Sequence, residues 1–437
     1  MKKIIALLLA LVMAFGLVAC GQAPATDAPA TDAPAANDTP ATDAPEAPAE
    51  AEKIALKVWG PNEDQTAQKD QSVSFLEAAC KAFDEAHPEW DIEFVFEVCG
   101  EGDAGNNVTK DVAAAGDVYA FASDQLGTLR QANAIARLGG AALEQVQNAN
   151  YGDAKDQVLL SVSDVEGAVY GVPFTPNTYF MYYDKSVYTE EDIKSLDAMM
   201  AKKPVAFPIT NTWNLPAFYF AVGGTMYGDG TDEAKGVEFG GEAGAAATLY
   251  IANALKEGKM FDDANGAGKD MLKNGQIGAM FTGTWDAKNI SDILGENYAA
   301  AQLPTITVNG AECQLKAFSG SKAYAANPNS ANLKAATALA AWLGSAEMQK
   351  LHYELRNGEV IPVDVSLADI YASNPAAIAQ ENTMAYTSTL QPNITKMGNY
   401  WANAGAMGSS LANGEINADN ALSKTDEWNA GLNNSGL

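Results

Sequence analysis

Hydrophobic and polar residues alternate with a period of two along the segment that begins at Trp90. Its apolar positions are Trp90, Ile92, Phe94, Phe96 and Val98. A period of two predicts a β-strand with one buried face. Upstream, the apolar run 54–58 predicts another strand, and the apolar residues from Val73 to Phe83 recur at the spacing of a helix. The globular part of the chain is therefore predicted to open with a βαβ unit.

Strands and helices continue to alternate along the rest of the chain. Further strands are predicted at 117–122, 168–173 and 276–281. Helices are predicted near 190–201, 243–257, 286–294, 332–343 and 396–412. Such alternation is typical of parallel sheets covered by helices on both faces. The predicted fold class is therefore α/β.

The composition and the net charge of the chain exclude several classes of binding partner. At about 150 residues per domain, a length of 437 residues suggests two or three domains. Since 47% of the residues are hydrophobic and 19% are charged, most of the chain can build a core. Against 27 Lys and Arg stand 55 Asp and Glu, a formal net charge of -28. This charge argues against nucleic acid or an anionic membrane surface as a direct partner. With two His and four Cys, the chain offers few nitrogen and sulfur ligands, so no metal site is expected.

Catalytic motifs are scarce. The sequence contains no Gly-x-Ser-x-Gly elbow, no phosphate-binding loop and no Gly-x-Gly-x-x-Gly after a predicted strand. The two histidines, His87 and His352, are interpreted as surface or packing residues. A carboxylate pair for glycoside hydrolysis stays open, because acidic residues are abundant and their spacing in three dimensions cannot be derived from the sequence. We expect a protein without enzymatic activity and without a cofactor.

Residues 1–20 have the pattern of a secretion signal. Lys2 and Lys3 precede an apolar run at 4–15, and Leu17-Val18-Ala19-Cys20 follows. The run is shorter than the about 20 apolar residues that span a bilayer, so a transmembrane anchor is the less favoured interpretation. The segment 17–20 resembles the lipobox of bacterial lipoproteins. This resemblance implies that Cys20 is the first mature residue and carries the lipid that anchors the protein on the extracytoplasmic face of the cell membrane.

Residues 21–52 are predicted to be a disordered linker. They contain six prolines and seven acidic residues but no Lys or Arg. This composition cannot build a core and favours an extended chain. The linker would hold the folded part away from the bilayer, to which the lipid alone attaches it.

A disulfide between Cys80 and Cys99 is the less favoured interpretation. Cys80 lies in the predicted helix, whereas Cys99 follows the predicted strand. At about 1.5 Å per helical residue and about 3.3 Å per strand residue, they lie farther apart than the about 7 Å that a disulfide allows. Cys80 is interpreted as a core residue, and Cys313 has no evident mate.

Tryptophans in polar loops are the clearest indication of a binding site. Trp285 directly follows the predicted strand 276–281, at a carboxyl strand end where open α/β sheets bind ligands. Trp213 and Trp401 also lie among polar residues, whereas Trp342 has a core-like setting. A pyranose ring has an apolar face that stacks on an aromatic ring, and hydroxyls that need polar partners. The pattern therefore favours a carbohydrate site.

Several segments carry a resemblance to a known family. They are Gly171-Val172-Pro173-Phe174 with Tyr182-Tyr183-Asp184-Lys185, Gly275 through Trp285, Leu303-Pro304-Thr305, and Gln391-Pro392-Asn393-Ile394 through Trp401. Over nearly all of 53–437 the sequence resembles the extracellular solute-binding proteins of ATP-driven sugar importers. The branch that it resembles binds maltose and maltodextrin.

This resemblance implies a periplasmic-binding-protein fold of type II, in which two Rossmann-like lobes flank a hinge and an inter-lobe cleft. It places the first lobe at 53–176 plus 321–370 and the second at 177–320 plus 371–437. An oligosaccharide such as maltose or maltodextrin would close the cleft, and the transmembrane subunits of an ABC permease would recognise the closed form. The resemblance also implies a monomer.

The family's ligand contacts correspond to particular positions of this chain. The resemblance implies that Trp285 and Trp401 stack on the sugar and that Trp213 matches a further aromatic residue of the family. It also implies that the stretch 117–124 and the loop after the first strand supply first-lobe contacts. The ligand-binding set is Trp59, Asn62, Glu63, Asp64, Phe121, Asp124, Asn177, Trp213, Trp285 and Trp401. Phe121 stands where the family has Trp, Asn177 where it has an acid, and Gln125 where it has an arginine. The identity of the sugar therefore stays open.

Two other classes of function remain beside a sugar-binding importer component. A secreted glycosidase would release reducing ends from its substrate. A passive surface or adhesive protein would show no saturable binding of small ligands.

Overall fold

The computed structural model describes residues 51–68, 71–263 and 266–434. The predicted signal segment, Cys20 and nearly all of the predicted linker lie outside these residues. Within the described ranges, no helix combines the length and the apolar character that crossing a membrane requires.

Strands and helices alternate along the described part of the chain. The strands are β1 (Glu52–Gly60), β2 (Trp90–Val98), β3 (Val118–Ala122), β4 (Val172–Thr178), β5 (Phe180–Asp184), β6 (Val205–Phe207), β7 (Thr225–Met226), β8 (Val237–Glu238), β9 (Met260–Asp262), β10 (Ala279–Thr282), β11 (Tyr298–Ala301), β12 (Thr305–Val308), β13 (Ala311–Gln314), β14 (Ala317–Ala326) and β15 (Ser388–Leu390). The helices are α1 (Asn62–Gln65), α2 (Phe75–Ala86), α3 (Ala104–Lys110), α4 (Leu126–Gln131), α5 (Gly140–Asn148), α6 (Lys155–Ser161), α7 (Leu196–Lys202), α8 (Pro216–Ala221), α9 (Tyr227–Gly230), α10 (Gly241–Lys256), α11 (Ala267–Lys273), α12 (Ala287–Leu294), α13 (Leu333–Leu343), α14 (Ala346–Leu355), α15 (Pro375–Tyr386), α16 (Met397–Ala412) and α17 (Ala421–Asn433).

One sheet contains β15, β14, β3, β1 and β2 as successive neighbours, and β4 pairs with β14 beside them. We call this sheet and the helices packed on it the first lobe. β1 and β2 run parallel, and α2 connects them, which confirms the predicted βαβ unit. Leu56 of β1, Phe83 of α2 and Leu339 of α13 meet in one buried cluster. Burial of these side chains holds helices against the sheet.

A second sheet has the order β11, β5, β10, β6, β9, and we call it and its helices the second lobe. β10, β6 and β9 are parallel to one another. Phe207 of β6, Phe281 of β10 and Ile251 of α10 lie in one buried cluster, together with residues of α16. The α/β class agrees with the alternation of strands and helices in the sequence. The two large sheets agree with the two lobes that the resemblance implied.

The expectation of parallel sheets is met only in part, since both sheets also contain antiparallel strands. β5 follows β4 after the single residue Tyr179 and runs antiparallel to β10 and β11. β14 runs antiparallel to β3 and β4. Parallel neighbours need a crossover connection of about a dozen residues or more, whereas antiparallel neighbours do not.

Most of the predicted elements have boundaries within three residues of the observed ones, but β4 (Val172–Thr178) begins four residues after the strand predicted at 168–173. The helix predicted at 190–201 begins at Leu196, because Ser195 caps it by accepting a hydrogen bond from the backbone N–H of Ala198. Cys80, Cys99 and Cys313 are free thiols, and Cys80 is buried, as predicted.

Candidate functional site

A cavity of about 400 Å³ lies between the two lobes. Its first-lobe wall includes Pro61, Glu63, Glu101, Lys322, Arg356 and Glu359, and its second-lobe wall includes Thr284, Trp285, Lys288 and Asn289. We call this cavity the inter-lobe cleft. Thr175 and Pro176 of β4 also line it, so the strand that leads from one lobe to the other borders the cleft.

Most of the residues that line the cleft follow the carboxyl ends of parallel strands. In the first lobe, β1 leads into α1 with Glu63, and β2 leads into the turn that contains Glu101. In the second lobe, β6 leads towards Trp213 and β10 into the turn with Trp285. Since β6 and β10 are adjacent and parallel, their carboxyl ends meet at one edge of the sheet. The two indole rings accordingly lie 6.3 Å apart between centroids.

Trp285 presents an aromatic surface to the cleft. It is 39% exposed, which is unusual for a side chain of this size. Gly283 is required beside it, because a Cβ at that position would collide with the indole ring. The exposed ring is therefore held in place by its own turn and leaves a face free for a ligand.

Trp213 and Trp401 are partly buried on the same lobe. The indole N–H of Trp213 donates to Oε1 of Gln391 at 2.9 Å. The ring of Trp401 packs edge-on against Phe318, with 6.3 Å between centroids. Tyr400, next to Trp401, donates its hydroxyl to the carbonyl of Thr212 at 2.6 Å. This bond ties the start of α16 to the loop of Trp213.

Lys322 places a positive charge against the aromatic surface. Its Nζ lies 3.2 Å from Glu101 and 5.4 Å from the centroid of the Trp285 ring. A cation at this distance from an indole face is attracted by the ring quadrupole. Two residues earlier, Gly320 leaves room for the hydroxyl of Ser123, which a Cβ would displace. The cleft thus combines one apolar ring with charged donors and acceptors.

Asp124 lies in the turn after β3, with Lys322 near enough to act on its charge. Burial raises the pKa of its carboxyl to about 6, although a hydrogen bond from Gln125 and the charge of Lys322 oppose this shift. An acidic group with this pKa changes its charge close to neutral pH. Asp124 is a predicted ligand residue, and its role stays a prediction.

Arg356 and Glu359 form an ion pair in the cleft wall, with Nη2 3.1 Å from the carboxylate. Burial raises the pKa of Glu359, while Arg356 and the backbone N–H of Lys288 act in the opposite direction. Glu359 belongs to the first lobe and Lys288 to α12 of the second. This carboxylate therefore interacts with both walls of the cleft.

Two of the predicted sugar contacts are completely buried in the first lobe and lie outside the set of residues that lines the cleft. Asp64 is 0% exposed, because the short helix α1 turns its side chain into the first lobe, onto His352 and Arg356, while Glu63 faces the cleft. Phe121 is also 0% exposed, in the middle of β3, where all five residues are buried. Both are structural residues of the first lobe.

Six further predicted residues also lie outside the set that lines the cleft: Asp124, Trp213 and Trp401, which are described above, and Trp59, Asn62 and Asn177. Trp59 is partly buried and donates its indole N–H to Glu97 at 2.7 Å. Asn62 is exposed on α1. Asn177 is nearly buried in β4, opposite Gly320 of β14. Their roles in binding stay predictions.

Sequence reasoning missed the charged residues of the cleft. Glu101, Lys322 and Arg356 are more than thirty residues apart in the chain, and only the fold brings them together. One signal was present: Lys322 is a single charged residue in a run of small and aromatic residues, Phe318 to Ala326. A charge inside a strand that is otherwise buried often has a functional reason.

Residues 78–384 match the family of bacterial extracellular solute-binding proteins. The chain belongs to this family. A solved structure of a protein with acarbose is 43% identical to this solute-binding protein and has a TM-score of 0.82, and the match covers 87% of this chain and 99% of that chain. This structural match supports the two-lobe fold that the resemblance implied.

Curated relatives of this solute-binding protein carry the names of sugar-binding proteins. The galactooligosaccharide-binding protein of Bacillus subtilis (strain 168) is 25% identical over 334 residues, which are 71% of this chain and 75% of the relative. The maltooligosaccharide ABC transporter solute-binding lipoprotein of Streptococcus pneumoniae (strain ATCC BAA-255 / R6) is 25% identical over 298 residues, which are 64% of this chain and 69% of the relative.

Proposed function

We propose that this chain is the substrate-binding lipoprotein of an ABC importer and that it captures an oligosaccharide of the maltose and maltodextrin type in the inter-lobe cleft. The observation that carries the proposal is the exposed ring of Trp285 between two walls of hydrogen-bonding groups. An indole face accepts the apolar face of a pyranose, and the surrounding charged and amide groups bind its hydroxyls.

The substrate class follows from the chemistry of the cleft and from the relatives. Glu63, Glu101 and Asn289 offer acceptors and an amide, while Lys322 and Arg356 offer donors. The family members that resemble this chain are named for maltooligosaccharides and galactooligosaccharides, and one was solved with acarbose. We place α-linked glucose oligomers first, because Trp285 and Trp401 match stacking positions of the maltodextrin branch and Trp213 matches a further aromatic position.

Binding would draw the lobes together about the strands that pass between them. A ligand that touches both walls binds the closed state more tightly and shifts the equilibrium towards it. The permease would then recognise the closed protein and receive the sugar, with no covalent bond broken. Lipid on Cys20 would keep the monomeric protein at the membrane where the permease resides.

Isothermal titration calorimetry of the mature chain against maltose, maltotriose, a galactooligosaccharide and acarbose tests the proposal. We expect saturable binding of at least one glucose oligomer. The same sugar at 100 times its Kd should add about 2.7 kcal/mol to the free energy of unfolding. Absence of binding to every oligosaccharide would refute the proposal, and release of reducing ends during the titration would indicate a glycosidase.

A further inference from the structure

Two contacts join the lobes across the inter-lobe cleft, and both are made by groups of the protein itself. Glu359, in the loop after α14, interacts with the backbone N–H of Lys288 in α12. Lys322 of β14 lies with its Nζ 5.4 Å from the centroid of the Trp285 ring. Each contact pairs a first-lobe residue with a second-lobe residue. Neither contact needs a sugar to form it, so both act on the equilibrium between open and closed lobes.

Glu359 is held in position from its own lobe. Nη2 of Arg356 donates to its carboxylate at 3.1 Å, and the same guanidinium binds the buried carboxylate of Asp64. The side chains of Arg356 and Glu359 are only 9% and 15% exposed. A charged hydrogen bond in such a place is stronger than one between neutral groups in water. The Glu359 carboxylate is therefore presented to the second lobe by a fixed support.

The part of α12 that meets Glu359 is its first turn, where backbone N–H groups have no partner within the helix. Asp286, at the N-cap position, makes no capping hydrogen bond with its side chain and binds Lys269 and Thr282 instead. Its charge repels Glu359, and the ion pair with Lys269 reduces this repulsion. A carboxylate beside the first turn of a helix is stabilised by the partial positive charge there.

We propose that Glu359 is a lobe latch, that is, a first-lobe carboxylate that stabilises the closed arrangement by its contact with the first turn of α12. Opening the cleft separates Glu359 from α12, because the two belong to different lobes. The latch therefore shifts the population towards closed lobes before any ligand arrives. It depends on the two-lobe fold and not on which ligand the cleft binds.

Double electron–electron resonance on the mature chain, with no sugar added, tests the proposal. Nitroxide labels are attached at Lys350→Cys of α14 and Asp292→Cys of α12, two exposed positions on the helices next to the latch. Cys20 and Cys313 are replaced by serine, and the other two cysteines are buried. Closed and open lobes should give a shorter and a longer distance, and we expect the shorter one to be populated in the parent protein.

Three variants separate the latch from unrelated effects. Glu359→Ala should lower the ratio of shorter to longer distances about threefold to thirtyfold, the range expected for a carboxylate at a helix N-terminus. Glu359→Gln keeps an acceptor oxygen without the charge, so it should lower the ratio less. Glu354→Ala, which removes an exposed carboxylate of α14 outside the cleft lining, should leave the ratio unchanged.

The distance distributions decide the outcome. Identical distributions for Glu359→Ala, Glu359→Gln and the parent protein would overturn the proposal, and so would an equal fall of the ratio in Glu354→Ala. A parent protein that gives only the longer distance would overturn it as well. Thermal melting of each labelled variant shows that the measured protein is folded, and Glu359→Gln, which retains the shape of the side chain, supplies the comparison if Glu359→Ala melts early.

Discussion

Nε2 of His352 donates a hydrogen bond to the carboxylate of Asp64 at 2.9 Å, and both side chains are almost completely buried in the first lobe. Arg356 binds the same carboxylate oxygen. The ring of Phe75 stacks on His352 with 3.7 Å between centroids. These contacts fix α1 against the end of α14, and they thereby place Glu63 and Arg356 at the cleft.

The Asp64 carboxylate is held ionised by its neighbours. Burial alone would raise its pKa, but His352 and Arg356 together outweigh burial and hold the pKa below its ordinary value of 3.8. An acid whose pKa is lowered in the folded state stabilises the fold above its unfolded pKa. This contribution is lost as the pH falls below about 4 and passes through the folded pKa.

We therefore predict that Asp64→Asn destabilises the protein. Removing one partner of a buried ion pair leaves the others uncompensated, which costs about 3–5 kcal/mol of unfolding free energy. Urea denaturation at neutral pH measures this loss. The variant should also lose less stability than the parent protein between pH 5 and pH 3.

Glu63→Gln is the matched control, because Glu63 is the exposed neighbour on the same short helix. Its unfolding free energy should stay within about 0.5 kcal/mol of that of the parent protein. An Asp64→Asn variant as stable as Glu63→Gln would show that the buried cluster contributes nothing to the stability of the fold.

A second prediction separates the aromatic surface of the cleft from core packing. Trp285→Ala should weaken sugar binding by about 1–3 kcal/mol, through lost apolar contact and stacking, with little effect on the melting temperature. Trp342 is partly buried in the first lobe and donates its indole N–H to the carbonyl of Ala79 at 3.0 Å. Trp342→Ala should lower the unfolding free energy by about 3 kcal/mol.

Calorimetry with the tightest-binding sugar measures the affinity of both variants, and thermal melting measures their stability. The folded fraction of Trp342→Ala should bind sugar nearly normally. If Trp285→Ala keeps full affinity for every sugar that binds the parent protein, the ring is not part of the binding surface.

The alternation of strands and helices predicted the α/β class and the positions of six helices, α2, α7, α10, α12, α13 and α16, because one-sided burial imposes a regular period on a sequence. The position of Trp285 after a strand also predicted its place at the edge of the sheet. The complete burial of Asp64 and Phe121 could not be predicted, because position in the chain does not fix the direction of a side chain. Glu101, Lys322 and Arg356 could not be grouped, since their proximity arises only from tertiary packing.

A third prediction concerns Cys20, which lies outside the described residues. If a lipid on this cysteine is the anchor, Cys20→Ala should move the protein from the membrane fraction to the soluble fraction, since no acyl chain remains to partition into the bilayer. Fractionation and immunoblotting of cells measure this change. Cys313→Ala, which alters a free thiol of the second lobe, should stay in the membrane fraction. Retention of Cys20→Ala would indicate an uncleaved apolar segment as the anchor.

The last prediction is a pH dependence of sugar binding that originates at Asp124. Burial raises the pKa of this carboxyl to about 6, so the unliganded protein takes up a proton there as the pH falls from 7 to 5. We expect the ionised carboxylate to accept a hydrogen bond from a sugar hydroxyl, and protonation replaces this charged acceptor with a weaker neutral one. Affinity should therefore fall towards pH 5, by at most about tenfold per pH unit for one linked proton. The pH dependence of the unfolding free energy has the opposite sign. An acid whose pKa is raised in the folded state stabilises the fold as the pH decreases through that pKa.

Asp124→Asn separates these effects from other titrations. An amide carries no charge, so the variant should bind sugar more weakly at pH 7.5 and lose the change in affinity between pH 7 and 5. Its unfolding free energy at pH 7.5 should exceed that of the parent protein, because no charge is then buried beside the cleft. Asp153→Asn, an exposed carboxyl outside the cleft, should preserve the pH profile of the parent protein. Calorimetric titrations at four pH values measure the sugar affinity of all three proteins. If the affinity of Asp124→Asn depends on pH as that of the parent protein does, the linked proton belongs to another group.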